Sequence, residues 1–234
     1  MIDGCQAEYV RVPHANLGCF PVPDGMTDDD VLLVGDILST GYFGAENAEI
    51  EPGDTVAVMG SGPVGMCAMM TARLWGPARI IAVDMNQARL DFAVKQGIAD
   101  MALNPADGNV PDKIRDLTGG RGADRTIEAV GARGTYELAL DAVRAGGNVS
   151  MIGVFEKPQE LKMNELWIKN IKIGMGLVNA NRIPELINLI AAGKLDTKCL
   201  YTHRKPLNDL LEGYDVFGNK KDNVLKWIVT PYER

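Results

Sequence analysis

The sequence predicts an α/β fold in which one parallel sheet is doubly wound, with helices on both faces. Two observations predict it. Between residue 55 and about residue 178, short β-branched runs alternate with stretches of helical period, which is how strand–helix–strand units read along a chain. Several of these runs are apolar at nearly every position, as in T-V-A-V-M and R-I-I-A-V, and strands covered on both faces need no polar alternation.

Six strands follow from that pattern: Thr55–Met59, Arg79–Asp84, Met101–Leu103, Arg125–Glu128, Asn148–Ile152 and Ile171–Met175. Helices are predicted between them at Val64–Leu74, Gln87–Gln96, Asp112–Leu117 and Thr135–Val143, most closed by a turn-forming glycine such as Gly97, Gly119 or Gly146. The flanks read differently. Residues 1–24 predict two short strands, Ala7–Val12 and Gly18–Val22, punctuated by Pro13, Pro21 and Pro23, ahead of a helical stretch from Thr27 to about Glu46. After the sixth strand come a helix at Ile183–Ala192, another at Leu207–Phe217 and a strand at Val224–Val229. No repeat or low-complexity tract interrupts the chain.

Length and charge bound the function. The 234 residues, 46% of them hydrophobic, suffice for one large domain or one domain with part of a second. The balance of 24 Lys and Arg against 31 Asp and Glu leaves a net charge of −7, which argues against a nucleic-acid partner. No apolar run reaches the roughly 20 residues of a membrane span, and the opening MIDGCQAEYV lacks the layout of a signal peptide. A cytoplasmic location without a membrane partner is therefore expected. Cys5, Cys19, Cys67 and Cys199 form no C-x-x-C pair, which suits reduced thiols.

The chemistry-bearing motif is the run from Gly60 to Gly65, G-S-G-P-V-G, placed directly after an apolar strand and at the mouth of a helix. There Gly60 permits a tight turn, Gly62 lets the backbone approach a pyrophosphate, and Gly65 lets the helix pack closely on the strand. Pro63 and Val64 open the helix, whose first N–H groups face the phosphates. Nineteen residues past Gly65, the run R-I-I-A-V-D ends at Asp84. An acidic residue at that strand tip accepts hydrogen bonds from the adenosine ribose and repels a 2′-phosphate, so the motif predicts NAD rather than NADP. The competing reading is an ordinary strand-to-helix turn in which Asp84 caps the next helix. Arg89 lies along the adenosine in the first reading and is a solvated helix arginine in the second.

Beyond the motif, the sequence resembles the zinc-dependent medium-chain alcohol dehydrogenases, especially the bacterial branch acting on secondary alcohols. The resemblance rests on Q-A-E-Y-V-R-V-P at Gln6–Pro13, D-I-L-S-T-G-Y at Asp36–Tyr42 and E-P-G-D-T-V-A-V-M-G at Glu51–Gly60. It implies a Rossmann domain flanked on both sides by remnants of a GroES-like catalytic barrel. Residues 1–37 would be a barrel remnant with its connecting helix, 38–178 the NAD-binding domain, and 179–234 the return to the catalytic domain. It further implies that Asp36 stands where the last protein ligand of the catalytic zinc stands, and that Thr40 contacts the nicotinamide. Val130, Ile152, Gly153, Val154, Met175 and Leu177 would hold the nicotinamide end, and Lys226 would lie near the pyrophosphate. The apolar strand I-K-I-G-M-G-L-V resembles the edge through which relatives join two sheets, which implies a homodimer or homotetramer; a covered internal strand is the alternative.

The sequence also departs from that pattern. The family's early cysteine ligand, its G-H-E segment and its cysteine-rich loop for structural zinc have no counterpart here, and the chain begins at what is an internal methionine in relatives. His14 and His203 lie at no zinc-like spacing. Asp36 therefore reads either as a zinc ligand of an incomplete site or as an unmetallated, hydrogen-bonded or partly exposed carboxylate. Barrel strands without neighbours would leave unpaired edges, which also favours association. Three activities stay open: an NAD-dependent alcohol dehydrogenase acting on a small alcohol or ketone, an NAD(H)-binding module without catalysis, and a zinc-free reductase with Tyr42 as proton donor.

Overall fold

The computed structural model describes residues 4–231. The chain divides into two units, one of residues 34–179 and the other formed by residues 1–33 and 180–234.

The larger unit opens with helix α1 (Ile37–Asn47) and continues through β1 (Thr55–Met59), α2 (Pro63–Ala72), β2 (Arg79–Val83), α3 (Gln87–Lys95) and β3 (Met101–Leu103). Helix α4 (Val110–Leu117), β4 (Ala123–Glu128), α5 (Arg133–Ala142), β5 (Val143–Met151) and β6 (Lys172–Met175) complete it. All six strands are parallel, in the order β3-β2-β1-β4-β5-β6. The sequence direction of the sheet therefore reverses between β1 and β4, and ligands of open α/β sheets bind at the strand ends beside such a reversal.

Apolar strands make the core. Ala57, Met59, Ile81, Val83, Val149 and Met151 are buried with Val110 and Ile114 of α4 and Tyr136, Ala139 and Leu140 of α5. Helix α1 lies close on α2 because Gly41 has no side chain: a Cβ there would fall 2.6 Å from the Ala68 nitrogen. At the N-terminal end of the sheet, Asp124 Oδ2 accepts the Thr55 N–H at 2.8 Å and its Oδ1 accepts Arg144 Nε–H at 2.6 Å. The buried Arg125 guanidinium stands 2.9 Å from Asp54, off the hydrogen-bonding direction, so the contact acts as an ion pair.

The smaller unit holds α6 (Ile183–Ala191), β7 (Tyr201–Pro206), α7 (Leu210–Gly218) and β8 (Lys226–Thr230), with β7 and β8 paired in parallel. Leu186, Leu200 and Leu225 are fully buried there. Asp29 receives Arg204 at 2.7 Å, and Lys198 reaches Asp30 at 2.5 Å.

Three expectations are corrected. Ala7–Val12 and Gly18–Val22 are not strands: residues 4–24 hold one helical turn, Ala15–Gly18, and no ladder, because a strand needs a partner for its N–H and C=O groups. The single helix from Thr27 to Glu46 is two pieces. A turn at Asp28–Val31, closed by a Thr27–Asp30 capping box, stops before Asp36, whose φ of −148° and ψ of −74° are not helical. The strand β7 was missed, since Y-T-H-R-K-P carries no apolar alternation. No helix among the described residues is long and apolar enough to cross a membrane.

Candidate functional site

The loop from Gly60 to Gly65 joins β1 to α2 at the C-terminal end of the sheet, beside the β1/β4 reversal. The chain itself accounts for two of its three glycines. Gly60 has a φ of +103°, and a Cβ on it would lie 2.5 Å from a Val130 methyl; one on Gly65 would lie 1.9 Å from the Gly60 carbonyl oxygen. Gly62 is different. Its φ of −77° suits any residue, and the nearest atom to a Cβ there is Arg89 Nη1 at 3.5 Å. Nothing in the protein demands a glycine at 62, whereas a phosphate laid against the first N–H groups of α2 would. Pro63 and Val64 form the first turn of that helix. The loop therefore fits a dinucleotide pyrophosphate.

Asp84, half-buried just past β2, is tied to this loop. Its Oδ2 accepts the Ser61 N–H at 2.7 Å and its Oδ1 accepts the Asn86 N–H at 2.8 Å. A carboxylate oxygen has a second lone pair, so both remain able to accept a ribose hydroxyl. Asn86 in turn caps α3 through the Arg89 N–H. Asn104 Nδ2 donates to the Met85 carbonyl and to Gln87, which holds the turn after Asp84 from below. Asp84 is thus a loop organiser as well as a candidate ribose acceptor, and it is Asn86 rather than Asp84 that caps the next helix.

The opposite wall comes from the ends of β4, β5 and β6. The Ala129 N–H donates to the Met59 carbonyl at 2.9 Å, closing the turn after β4 onto the end of β1. Val130 is 48% exposed, Val154 79% and Leu177 90%, an open apolar lining, while Ile152 is buried. A cavity of about 650 Å³ opens beside Gly153 and Met175, lined also by Tyr136, Phe155 and Ile173. Sequence reading missed Glu128, a fully buried glutamate at the tip of β4. An ionisable residue ending an otherwise covered strand is the signal that could have found it.

The remaining candidates fall elsewhere. Asp36 is exposed at the start of α1 and accepts the Thr40 hydroxyl at 3.2 Å. Among the described residues no three His, Cys, Asp or Glu side chains come together as a metal-ion donor set, so the residues present do not fit a catalytic zinc. Tyr42 packs its ring against Trp75 at 5.1 Å between centroids, which accounts for it as helix packing. Lys226 belongs to the smaller unit, where it starts β8 and lines a groove with Tyr214, Phe217 and Trp227.

Comparison with known proteins gives a consistent family. The family model described as "Zinc-binding dehydrogenase" matches residues 63–192. An alcohol dehydrogenase of Cupriavidus necator is 44% identical over 99% of this chain and 64% of its own length. Among solved structures, the apo form of zinc dependent alcohol dehydrogenase 2 from Streptococcus pneumonia is 37% identical, with a TM-score of 0.91 over 99% of this chain and 67% of that one. The alcohol dehydrogenase from Thermus sp. ATN1 is 34% identical, with a TM-score of 0.89 over 97% and 66%. The chain thus spans 64% of the length of the first curated relatives it matches. A doubly wound sheet carrying this glycine loop, matched over more than half its residues, places the chain in the zinc-binding dehydrogenase family.

Proposed function

We propose that this chain is the coenzyme-binding part of an NAD-dependent alcohol dehydrogenase, an oxidoreductase that moves a hydride between a small alcohol or ketone and NAD. The observation that carries the proposal is Gly62, a glycine with no cause inside the chain at the mouth of α2, next to an aspartate at the tip of β2. Bound NAD would supply a nicotinamide C4 that accepts or returns hydride. The chain's own residues bind and orient. The N–H groups at the start of α2 meet the pyrophosphate charge, and Asp84 accepts from the adenosine ribose while its charge opposes a 2′-phosphate. Arg89, with Nη1 close to the Gly62 position, adds a cation to that anion site. Val130, Ile152, Gly153, Val154, Met175 and Leu177 shield the nicotinamide from water, with Thr40 contributing as the resemblance implies.

The reading divides the labour as the resemblance implies, with an NAD domain at 38–178 and catalytic-domain segments at 1–37 and 179–234. Strand β6 lies at an edge of the sheet, which supports association into a homodimer or homotetramer. Asp36 has no companion zinc ligands among the described residues. That same observation favours a second reading, an NAD(H)-binding module without turnover.

Titration with NADH and NADPH, followed by the fluorescence of the reduced nicotinamide, tests the cofactor assignment; tighter NADH binding is expected, and no binding of either overturns it. Turnover with NAD and a panel of short alcohols, with zinc added, separates the two readings. NADH formation supports the dehydrogenase, and NADH binding with no turnover and no stoichiometric metal supports the module.

A further inference from the structure

We propose that Glu128 is a positioning residue whose buried carboxylate fixes the turn after β4 against the turn after β5, and so shapes the nicotinamide end of the crevice. The proposal rests on the dinucleotide reading of the site. Every residue of β4 is buried, and Glu128 is 0% exposed. A carboxylate is a costly choice for such a place unless its oxygens are bonded. Only one is. Oε1 accepts the Val130 N–H and the Gly131 N–H at 2.9 Å each, and the Thr135 hydroxyl at 2.7 Å. These donors cluster at the entry to α5, where the exposed N–H groups of a helix favour negative charge. Oε2 is buried without a hydrogen-bond partner. A strand end that served packing alone would be better filled by an apolar residue, which leaves no acceptor unpaired.

What the carboxylate does is visible in the backbone around it. Its own carbonyl accepts the Ile152 N–H at 2.9 Å and the Gly153 N–H at 3.1 Å, so one residue holds the β5 turn by its main chain and the β4 turn by its side chain. The two turns then meet at glycine clearance. A Cβ on Gly153 would stand 2.4 Å from Glu128 Oε2 and 2.2 Å from the Gly131 nitrogen, and one on Gly131 would stand 2.1 Å from the Val154 carbonyl oxygen. The backbone is pinned while the Val130 and Val154 side chains stay open. This is the arrangement a ring-binding wall needs, with contact groups held by a supporting shell.

The test uses the whole chain and two ligands. ADP-ribose carries the adenosine and pyrophosphate without the nicotinamide, and NADH carries all three. Glu128→Met removes the acceptor; Glu128→Asp keeps the charge but draws it back by one methylene; Glu128→Gln keeps an acceptor oxygen at the Oε1 position. Calorimetry should find ADP-ribose affinity unchanged in all three. NADH affinity should fall by about tenfold or more in Glu128→Met and Glu128→Asp, with the emission maximum of bound NADH moving toward that of free NADH, and Glu128→Gln should restore both. If Glu128→Met does not fold, Glu128→Asp decides alone. Equal losses for ADP-ribose and NADH would reduce Glu128 to a structural group, and unchanged NADH affinity would remove its role; either overturns the proposal. Failure of the unsubstituted chain to bind ADP-ribose would instead bring down the dinucleotide reading and this proposal with it.

Discussion

The Thr40 hydroxyl donates to Asp36 Oδ1 across 3.2 Å, one helical turn apart at the start of α1. Asp36 occupies the N-cap position of that helix, yet its side chain bonds none of the free N–H groups there. The two residues that the resemblance assigns to zinc and to nicotinamide thus hold each other. An exposed contact of this kind is weak. Asp36→Asn, which keeps an oxygen for Thr40, should leave the melting temperature unchanged, and Asp36→Ala should lower it by about 2 °C or less. NADH affinity should be the same in both. Scanning calorimetry checks the first expectation; a much larger fall in Tm would show that Asp36 has partners beyond Thr40.

Gly62 and Gly65 should behave in opposite ways although only Pro63 and Val64 separate them. Gly62→Ala adds a methyl at ordinary contact distance from Arg89 and at ordinary φ and ψ, so stability should change by no more than about 1 kcal/mol, while NADH affinity falls by about tenfold or more. Gly65→Ala drives a methyl to 1.9 Å from the Gly60 carbonyl oxygen and should destabilise the fold by about 1–3 kcal/mol or more. Thermal melts paired with NADH titrations read both. A stable Gly62→Ala with undiminished NADH affinity would dismiss the phosphate from that loop.

Asp84 carries two tasks, and substitution should reveal both. Asp84→Gly removes the acceptors of the Ser61 and Asn86 N–H groups, so the loop loosens and the melting temperature drops. It also removes the charge that opposes a 2′-phosphate, so the NADH preference over NADPH should narrow by about tenfold. Parallel titrations with both nucleotides measure the ratio, which does not depend on how much total affinity the loosened loop loses. An unchanged ratio would separate Asp84 from cofactor choice.

At the other end of the sheet, Asp124 links stability to pH. Burial pushes its carboxyl up, but the Thr55 N–H, the Arg144 guanidinium and the charge of Arg121 outweigh that and hold it below the ordinary 3.8. A depressed folded value means the carboxylate stabilises the fold fully above 3.8 and that this contribution is lost as pH falls through the lower folded value. Asp124→Asn should therefore be less stable at pH 7, and its urea midpoint should fall less than that of the unsubstituted chain between pH 7 and pH 3. Equal falls would show that Asp124 does not carry the acid sensitivity.

Much of the fold could be read in advance because its central strands are short and covered on both faces. Thr55–Met59 and Met101–Leu103 appear in the structure at the predicted bounds, the first because it is packed on both faces and the second because a short apolar run pairs along β2. The flanking segments deceived the same rule: Ala7–Val12 is rich in aromatic and β-branched residues as a strand is, yet a ladder needs a second strand that local pattern does not report. The site divides similarly. The glycine loop and Asp84 are adjacent in a local motif and were legible as a motif. Glu128 was not, because its partners at Val130, Gly131, Thr135 and Gly153 come from two turns, and only the pairing of β4 with β5 brings those together.

The bond from the Ala129 N–H to the Met59 carbonyl has a consequence for the order in which the molecule is made. It joins points about seventy residues apart in the chain, and non-local pairings of this kind form late. During synthesis the glycine loop emerges with β1, but the wall that faces it waits for β4 to be translated. A nucleotide that needs both walls would stabilise only the finished crevice, so its supply would protect completed chains and do little for nascent ones.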